Sequence, residues 1–155
     1  MNISELLTPD RVAIRNRNAA AELDKPAAIG LLSSLLAQGA HLPEAEVESV
    51  LAEREALQST GIGEGVAIPH GALADLSGPC AALLLVPGGL DFEAIDDAKV
   101  TILFAVIGPK RASGEHLKTL AKVSRLLKNA SFRDRLLAAT SGDAAFDMIL
   151  AEEAR

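Results

Sequence analysis

Aromatic residues are scarce in this sequence: it has no tryptophan, no tyrosine and four phenylalanines, and rings make up 3% of the chain. So few rings provide no aromatic platform on which nucleic-acid bases could stack. Alanine and leucine dominate instead, which favours an aliphatic core packed between helices and a sheet. With 155 residues, 49% of them hydrophobic, the chain is predicted to form one folded domain, residues 1–155.

Cysteine and long apolar segments are scarce as well. The lone Cys80 cannot close an intramolecular disulfide, which is typical of a reducing cytoplasm, and we expect it to be a buried structural thiol. Residues 1–5 show no basic segment followed by an apolar one, and no apolar run approaches the roughly 20 residues of a membrane-spanning helix. The expectation is therefore a cytoplasmic protein without direct membrane insertion.

Basic charge is in deficit, because 21 acidic residues face 15 basic ones and the formal net charge is −6. A surface of this sign repels nucleic acids and anionic lipids, so neither is an expected partner. It suits a protein that meets other proteins.

Hydrophobic spacing and turn residues divide the chain into helices and strands. Helices are predicted from an N-cap at Asp24 to Gly39 and from residue 42 to about 57. A third helix is predicted from just after Glu115 to Leu127, with Leu117 on its inner face. Two more are predicted from an N-cap at Ser131 to Leu137 and, after a Ser-Gly-Asp start, from about 142 to 151. Strands are predicted at 12–14, 66–68, 81–86 and 99–107, with a turn at 87–89. This order favours a single α/β domain, in which a central mixed β-sheet is covered by α-helices.

The segment 59–71 carries the strongest chemical signal, because it combines glycines with a histidine. His70 follows a proline at the end of the predicted strand 66–68, so its ring is expected to be held at an edge. Imidazole is the side chain best suited to reversible proton or phosphoryl transfer near neutral pH. The amides of Gly61 and Gly63 could bind anionic oxygens. The plain alternative is a capping or core histidine without chemistry.

Arg54 and His116 could support an anion at His70. Arg54 lies near the end of a predicted helix, and its guanidinium could neutralise a phosphoryl group through paired hydrogen bonds. The alternative for Arg54 is a solvated charge at a helix end. His116 lies at the start of a helix, where an anion is readily held, and is alternatively an exposed first-turn residue. His41, between two helices, is expected at the surface.

Other types of site find little support in the sequence. The glycines at 61–65 lack the Gly-Lys-Ser/Thr ending of a nucleotide-binding loop, and no Gly-x-Ser-x-Gly nucleophile turn occurs. No cluster of cysteine, histidine or carboxylate side chains at short spacing accompanies His70 or His116. Neither a metal nor another cofactor is therefore predicted.

One long, nearly gapless stretch consists of Arg54-Glu55 followed by Ser59-Thr60-Gly61-Ile62-Gly63-Glu64-Gly65-Val66-Ala67-Ile68-Pro69-His70-Gly71. It resembles the active-site signature of the fructose/mannitol-type IIA family of the phosphoenolpyruvate-dependent phosphotransferase system. Residues 92–100, 116–121 and 137–141 are similar to further segments of that family, so the resemblance covers almost the whole chain. Asp97 stands where the family often has glycine, and we expect a local change of the turn there without an effect on chemistry.

The resemblance implies a role for each candidate residue. His70 corresponds to the histidine that is phosphorylated on Nε2, His116 to the second active-site histidine that supports the phosphoryl group, and Arg54 to the arginine that stabilises its charge. The residues expected to bind phosphoryl oxygens are Ser59, Thr60, Gly61 and Gly63.

The function that the resemblance implies is that of a phosphocarrier, a phosphotransferase component with a phosphohistidine intermediate. His70 would accept the group from a histidine phosphocarrier protein. In the favoured interpretation the chain belongs to the nitrogen-related branch and acts on regulated protein partners, an expectation based on its lone-domain length and on residues 3–7 with Val12. In the alternative it serves fructose- or mannitol-type sugar uptake and passes the group to a IIB domain.

Overall fold

The computed structural model describes residues 2–15 and 23–155, and in this part of the chain six strands form one sheet with five α-helices against its faces. The strands are β1 (Val12–Ile14), β2 (Gly61–Gly63), β3 (Val66–Ala67), β4 (His70–Leu73), β5 (Cys80–Leu90) and β6 (Val100–Pro109). The helices are α1 (Lys25–Ala40), α2 (Glu44–Leu57), α3 (Ser113–Leu126), α4 (Ala130–Leu137) and α5 (Gly142–Glu153), and short 3-10 turns cover Ile3–Glu5, Pro9–Arg11 and Lys110–Ala112. The predicted α/β class with a central mixed sheet is confirmed.

The two long apolar strands, β5 and β6, pair antiparallel in the middle of the sheet. β1 lies parallel to the outer side of β5, while β3 and β4 both lie parallel to β6, one after the other. β2 extends the sheet by pairing antiparallel with β3. β3 and β4 pair with consecutive stretches of the same central strand, β6. The residues between β3 and β4 and at the start of β4 are therefore held in place by the sheet.

The core consists of two clusters, one on each face of the sheet. Ala82 and Leu84 of β5 belong to the cluster that contacts α1 and α2, whereas Leu83 and Leu85 belong to the cluster that contacts α3, α4 and α5. Successive side chains of a strand point to opposite faces, so a strand covered on both faces must be apolar throughout. This explains the continuous apolar run at 81–86. No helix in the described ranges is long and apolar enough to cross a membrane.

The ends of α1 differ in how well the sequence predicted them. The helix begins at the predicted N-cap Asp24, whose side chain accepts an amide hydrogen bond of 2.9 Å. Its predicted end at Gly39 is wrong, because the helix continues to Ala40 and is closed by His41 in the left-handed conformation, with φ 57°. Gly39 instead packs against Arg11, whose guanidinium would lie 2.7 Å from an added Cβ. His41 is exposed, as expected.

Two further predicted boundaries are wrong. β5 does not turn at 87–89 but continues across a register shift to Leu90, which pairs with Val100 of β6. α4 is not capped by Ser131: its N-cap is Asn129, two residues earlier, which accepts a 3.1 Å hydrogen bond from the amide of Phe132. A contact distant from the local pattern sets the boundary of β5, whereas the start of α4 is set by a local cap that the sequence analysis placed at the wrong residue.

Helix α3 begins at Ser113, before the predicted start, and its inner face is narrower than expected. Val123 is buried and Leu127, just after the helix, is 1% exposed, but Leu117 is 67% exposed. Ala121 is also exposed, and Leu120 is only half-buried. The apolar stripe therefore covers the core with its C-terminal half, while its N-terminal half faces the surroundings of His70.

Candidate functional site

His70 is the first residue of β4, not the residue that ends a strand, as the sequence suggested. It pairs with Val106 of β6, whose amide also donates a 2.9 Å hydrogen bond to the carbonyl of Pro69. The next residue, Gly71, lies so close to α2 that an added Cβ would meet Val50 at 2.2 Å. The absence of a side chain at Gly71 therefore lets α2 pack beside the histidine.

The imidazole of His70 is fixed by its own backbone segment. Its Nδ1 lies 2.7 Å from the carbonyl oxygen of Ile68. A carbonyl can only accept, so Nδ1 carries the proton in the neutral ring and the lone pair is on Nε2. Burial lowers the pKa of His70 and the Arg54 charge lowers it further, against the opposing effects of the Ile68 hydrogen bond and the charge of Glu55. The neutral form of the ring is thus favoured.

His116, in the first turns of α3, lies next to His70. The two ring centroids are 6.0 Å apart and the ring planes are inclined at 52°. Both ring nitrogens of His116 are buried, and neither has a hydrogen-bond partner among the described residues. Burial lowers the pKa of His116, with a smaller contribution from His70. The side chain is therefore neither exposed on its first turn nor satisfied by the protein, so both nitrogens retain unused hydrogen-bonding capacity.

Arg54 in the last turn of α2 faces the same space. One of its nitrogens donates a 2.7 Å hydrogen bond to the carbonyl of Gln58. A guanidinium has five N–H donors, so this bond does not use all of them. A surface cavity of about 620 Å³ is lined by Arg54, His70 and His116 together, with Leu57 at its rim. The three residues expected to handle a phosphoryl group are thus brought to one cavity.

The loop between α2 and β2 lines a second cavity, of about 420 Å³, which shares His70 and Arg54 with the first. Ser59, Thr60 and Gly61 contribute to its wall, but their polar groups are engaged within the protein. Ser59 Oγ donates to the carbonyl of Phe92 (3.2 Å) and accepts from the amide of Gly61 (3.1 Å). The amide and hydroxyl of Thr60 both donate to a carboxylate. Binding of phosphoryl oxygens by these residues stays a prediction.

Gly63 lies at the end of β2 and, unlike its neighbour Ile62, does not line either of these two cavities. Its φ of 99° is a backbone conformation that residues with a side chain rarely adopt, so glycine at this position allows the tight turn between β2 and β3. The adjoining turn contains Asp97, which adopts φ 57° and supplies the left-handed conformation that glycine would favour. The side chain of the neighbouring Asp96 accepts hydrogen bonds from the amides of Glu64 (3.0 Å) and Ala98 (3.1 Å).

The carboxylate that holds Thr60 belongs to Glu55, for which sequence reasoning gave no role. Glu55 is buried and also forms a 3.0 Å ion pair with Lys25. A signal was present in the sequence, because Val47, Leu51 and Glu55 recur at intervals of four on the buried face of α2. A carboxylate on an apolar helical stripe indicates a buried partner.

Comparison with known proteins assigns the family. The model of the family described as "Phosphoenolpyruvate-dependent sugar phosphotransferase system, EIIA 2" matches residues 5–152. The chain belongs to this EIIA 2 family. The resemblance identified from residues 54–71 is thereby confirmed.

Two curated EIIA 2 relatives align over nearly the whole chain. The "Nitrogen regulatory protein" of Pseudomonas aeruginosa is 32% identical over 153 residues, which cover 97% of this chain and 96% of that protein. The "PTS system fructose-specific EIIABC component" of Bacillus subtilis is 31% identical over 150 residues, which cover 96% of this chain but only 23% of that protein. The second relative therefore contains a much longer sequence than the part that matches.

Solved structures of the family agree with the fold. The crystal structure of nitrogen regulatory protein IIA-Ntr from Neisseria meningitidis superimposes with a TM-score of 0.84 at 29% identity, covering 95% of this chain and 98% of that one. The crystal structure of IIA mannitol from Escherichia coli has a TM-score of 0.75 at 21% identity, covering 92% and 98%. At the latter identity the similarity supports the EIIA 2 fold alone.

Proposed function

We propose that this EIIA 2 chain is a phosphocarrier that accepts a phosphoryl group on Nε2 of His70 from a histidine phosphocarrier protein. The observation that carries the proposal is the 2.7 Å contact between Nδ1 of His70 and the carbonyl of Ile68, which commits the proton to Nδ1. Burial also lowers the pKa of His70, so that the ring is neutral at the pH of the cell. A neutral imidazole with a free Nε2 is the nucleophile that this reaction requires.

The transfer would proceed by displacement at phosphorus. Nε2 of His70 forms the new nitrogen–phosphorus bond while the corresponding bond of the donor phosphohistidine breaks and its electron pair returns to the donor ring. Catalysis of such a step consists mainly of positioning and of stabilising charge on the phosphoryl oxygens. Arg54 and His116, which line the cavity with His70, are the side chains placed to supply that stabilisation.

Exposed apolar side chains around the histidine support a protein as donor and as recipient. Leu57, Ile62, Ile95 and Leu117 are 83%, 45%, 65% and 67% exposed, and the first three line the cavities that contain His70. Leu117 follows His116 in α3. Large exposed apolar residues gathered at one place mark interaction sites on soluble domains. A protein surface that covers them would also exclude water from the phosphoryl group.

We favour a regulatory role in the nitrogen-related branch, in which the phosphorylation state of His70 controls binding to regulated partners. The relative that matches over nearly its full length carries the name nitrogen regulatory protein. The alternative is a IIA component of sugar uptake that passes the group to a IIB domain, and the match to a fructose-specific component supports it. A cytoplasmic location is part of both proposals, and burial that raises the pKa of the Cys80 thiol suits an inert structural cysteine there.

The deciding experiment is intact mass spectrometry after incubation with phosphoenolpyruvate, enzyme I and a histidine phosphocarrier protein. One acid-labile phosphoryl adduct is expected on the wild type and on His41→Asn, a control in an exposed histidine whose left-handed φ asparagine tolerates. No adduct is expected on His70→Ala with an unchanged circular dichroism spectrum. A fully labelled His70→Ala protein, or an unlabelled wild type with every cognate carrier, would contradict the proposal.

The two branches separate in a second step. Labelled protein is mixed with a fructose-type IIB domain, and the adduct is followed over time. Rapid loss from His70 with label appearing on the IIB domain supports sugar uptake. Retention of the adduct supports the regulatory role.

A further inference from the structure

A buried ion pair lies behind the active-site loop. The Nζ of Lys25, at the start of α1, is 3.0 Å from Oε2 of Glu55 in α2, and their side chains are 18% and 6% exposed. The same ammonium lies 4.7 Å from the ring centroid of Phe92, which is fully buried. A charge removed from water in this way is retained only where its partners compensate for the lost hydration. Here Glu55 and the Phe92 ring compensate Lys25, while Lys25 and Thr60 compensate Glu55.

From Glu55, hydrogen bonds lead without a gap to the active-site histidine. The Glu55 carboxylate accepts the amide (2.9 Å) and the hydroxyl (2.5 Å) of Thr60. The carbonyl of Thr60 accepts the amide of Ile68 at 3.0 Å. The carbonyl of Ile68 in turn accepts the proton on Nδ1 of His70 at 2.7 Å. Thr60 and Ile68 thus each have both their amide and their carbonyl engaged, and together they link Glu55 to His70.

We propose that Glu55, held by Lys25, is a positioning residue that fixes the Thr60–Ile68 backbone pair and thereby the carbonyl that keeps the proton of His70 on Nδ1. This inference rests on the proposed function, since it explains how Nε2 of His70 is kept as the nucleophile. Glu55 itself does not touch the phosphoryl group in this scheme.

The local sequence explains why such an anchor is needed. Thr60 and Ile68 are joined by a segment with glycine at 61, 63 and 65, and two of these, Gly63 and Gly65, have positive φ. Glycine restricts the backbone least, so this segment does not by itself define how Thr60 lies against Ile68. Hydrogen bonds to an ionised group are about twice as strong as neutral ones, so Glu55 holds Thr60 more firmly than a neutral acceptor would. Glu55 therefore acts on the tautomer of His70 through the positions of Thr60 and Ile68.

The test replaces Glu55 by glutamine, which keeps the size and removes the charge. The matched control is Glu46→Gln, the same change at an exposed position in the same helix. Nitrogen-15 NMR of the unphosphorylated proteins measures the fraction of neutral His70 with its proton on Nδ1, and quench-flow measures phosphoryl transfer to His70. In Glu55→Gln we expect a larger fraction with the proton on Nε2 and about tenfold slower transfer. The control should behave as the wild type.

The outcomes separate the two proposals. A folded Glu55→Gln protein with the wild-type tautomer and the wild-type rate would overturn the positioning role while leaving the phosphocarrier role intact. A wild type that no carrier can label would overturn the proposed function, whereas the tautomer measurement would still report on Glu55. If Glu55→Gln does not fold, Lys25→Gln weakens the same pair from its more exposed end. It should shift the tautomer in the same direction by a smaller amount, and no shift would overturn the inference.

Discussion

The ring centroids of His70 and His116 lie 6.0 Å apart, with the ring planes inclined at 52°, and the two residues come from different elements that both contact β6. His70 begins β4, which pairs with β6, while His116 lies on α3, which follows β6 after the 3-10 turn Lys110–Ala112. The Nδ1 proton of His70 is hydrogen-bonded to the carbonyl of Ile68, but the nitrogens of His116 have no partner among the described residues. The pair is therefore asymmetric: one ring is oriented as a nucleophile, and the other is left with capacity to bind.

This asymmetry predicts that His116→Ala still accepts a phosphoryl group but handles it poorly. His70 retains its Ile68 hydrogen bond in this variant, so labelling goes to completion. Onward transfer is expected to slow on the order of 100-fold, the usual cost of losing one group that stabilises transition-state charge. Time-resolved intact mass, with His41→Asn as the control, measures both directions. Unchanged rates of acceptance and donation would remove His116 from the mechanism.

Replacing Arg54 tests its charge and its geometry separately. Arg54→Gln removes the charge that lowers the pKa of His70, so that pKa is expected to rise, whereas Arg54→Lys should leave it close to the wild-type value. Both variants are expected to lose transfer rate, because a lysine ammonium cannot make the paired contacts of a guanidinium. NMR titration of His70 and quench-flow give the two quantities. A fully active Arg54→Gln protein would contradict the role.

The lowered pKa values of both histidines predict how stability depends on pH. Burial is the first cause in each case, and it holds the folded-state pKa below the ordinary value of about 6.5. Near and below that pH the unfolded chain binds protons that the folded protein does not, so the free energy of unfolding falls as the pH is lowered. Urea unfolding at about pH 7.5, 6.5 and 5.5 measures the slope. In the double variant His70→Ala/His116→Ala the free energy of unfolding should fall less steeply with pH. A slope equal to that of the wild type would mean that these two histidines do not cause the pH dependence.

Much of the fold follows from local pattern. The apolar run at 81–86 predicts a strand buried on both faces, and it is the centre of the sheet. The start of α1 at Asp24 and the final helix with its N-cap Ser141 follow from capping residues. The functional segment was recognised because a proline, a histidine and several glycines occur together at 61–71. These signals are contained within a few residues of the feature they specify.

The errors arise where a distant contact decides. Leu90 stays in β5 because Val100 pairs with it, although the glycines before it indicate a turn. Leu117 continues the apolar spacing of α3 but is exposed beside the active-site cavity, so the pattern cannot tell a core face from an interaction face. Glu55 lies on the same stripe as Val47 and Leu51, and only the fold brings Lys25 to its carboxylate.

Gly108 of β6 lies directly against the ring of His116. An added Cβ there would lie 2.6 Å from Nδ1 of His116, closer than such atoms approach in proteins, and 3.3 Å from its Cγ. Gly108→Ala is therefore expected to displace the ring, lower the free energy of unfolding by about 1–3 kcal/mol and slow onward transfer as His116→Ala does. Gly78→Ala is the matched control, because an added Cβ at Gly78 meets nothing within 4 Å. Measured together, chemical unfolding and onward transfer distinguish two causes. A loss of stability with normal transfer would mean that the strand yields and the ring stays in place, so that the position of His116 would not depend on this glycine.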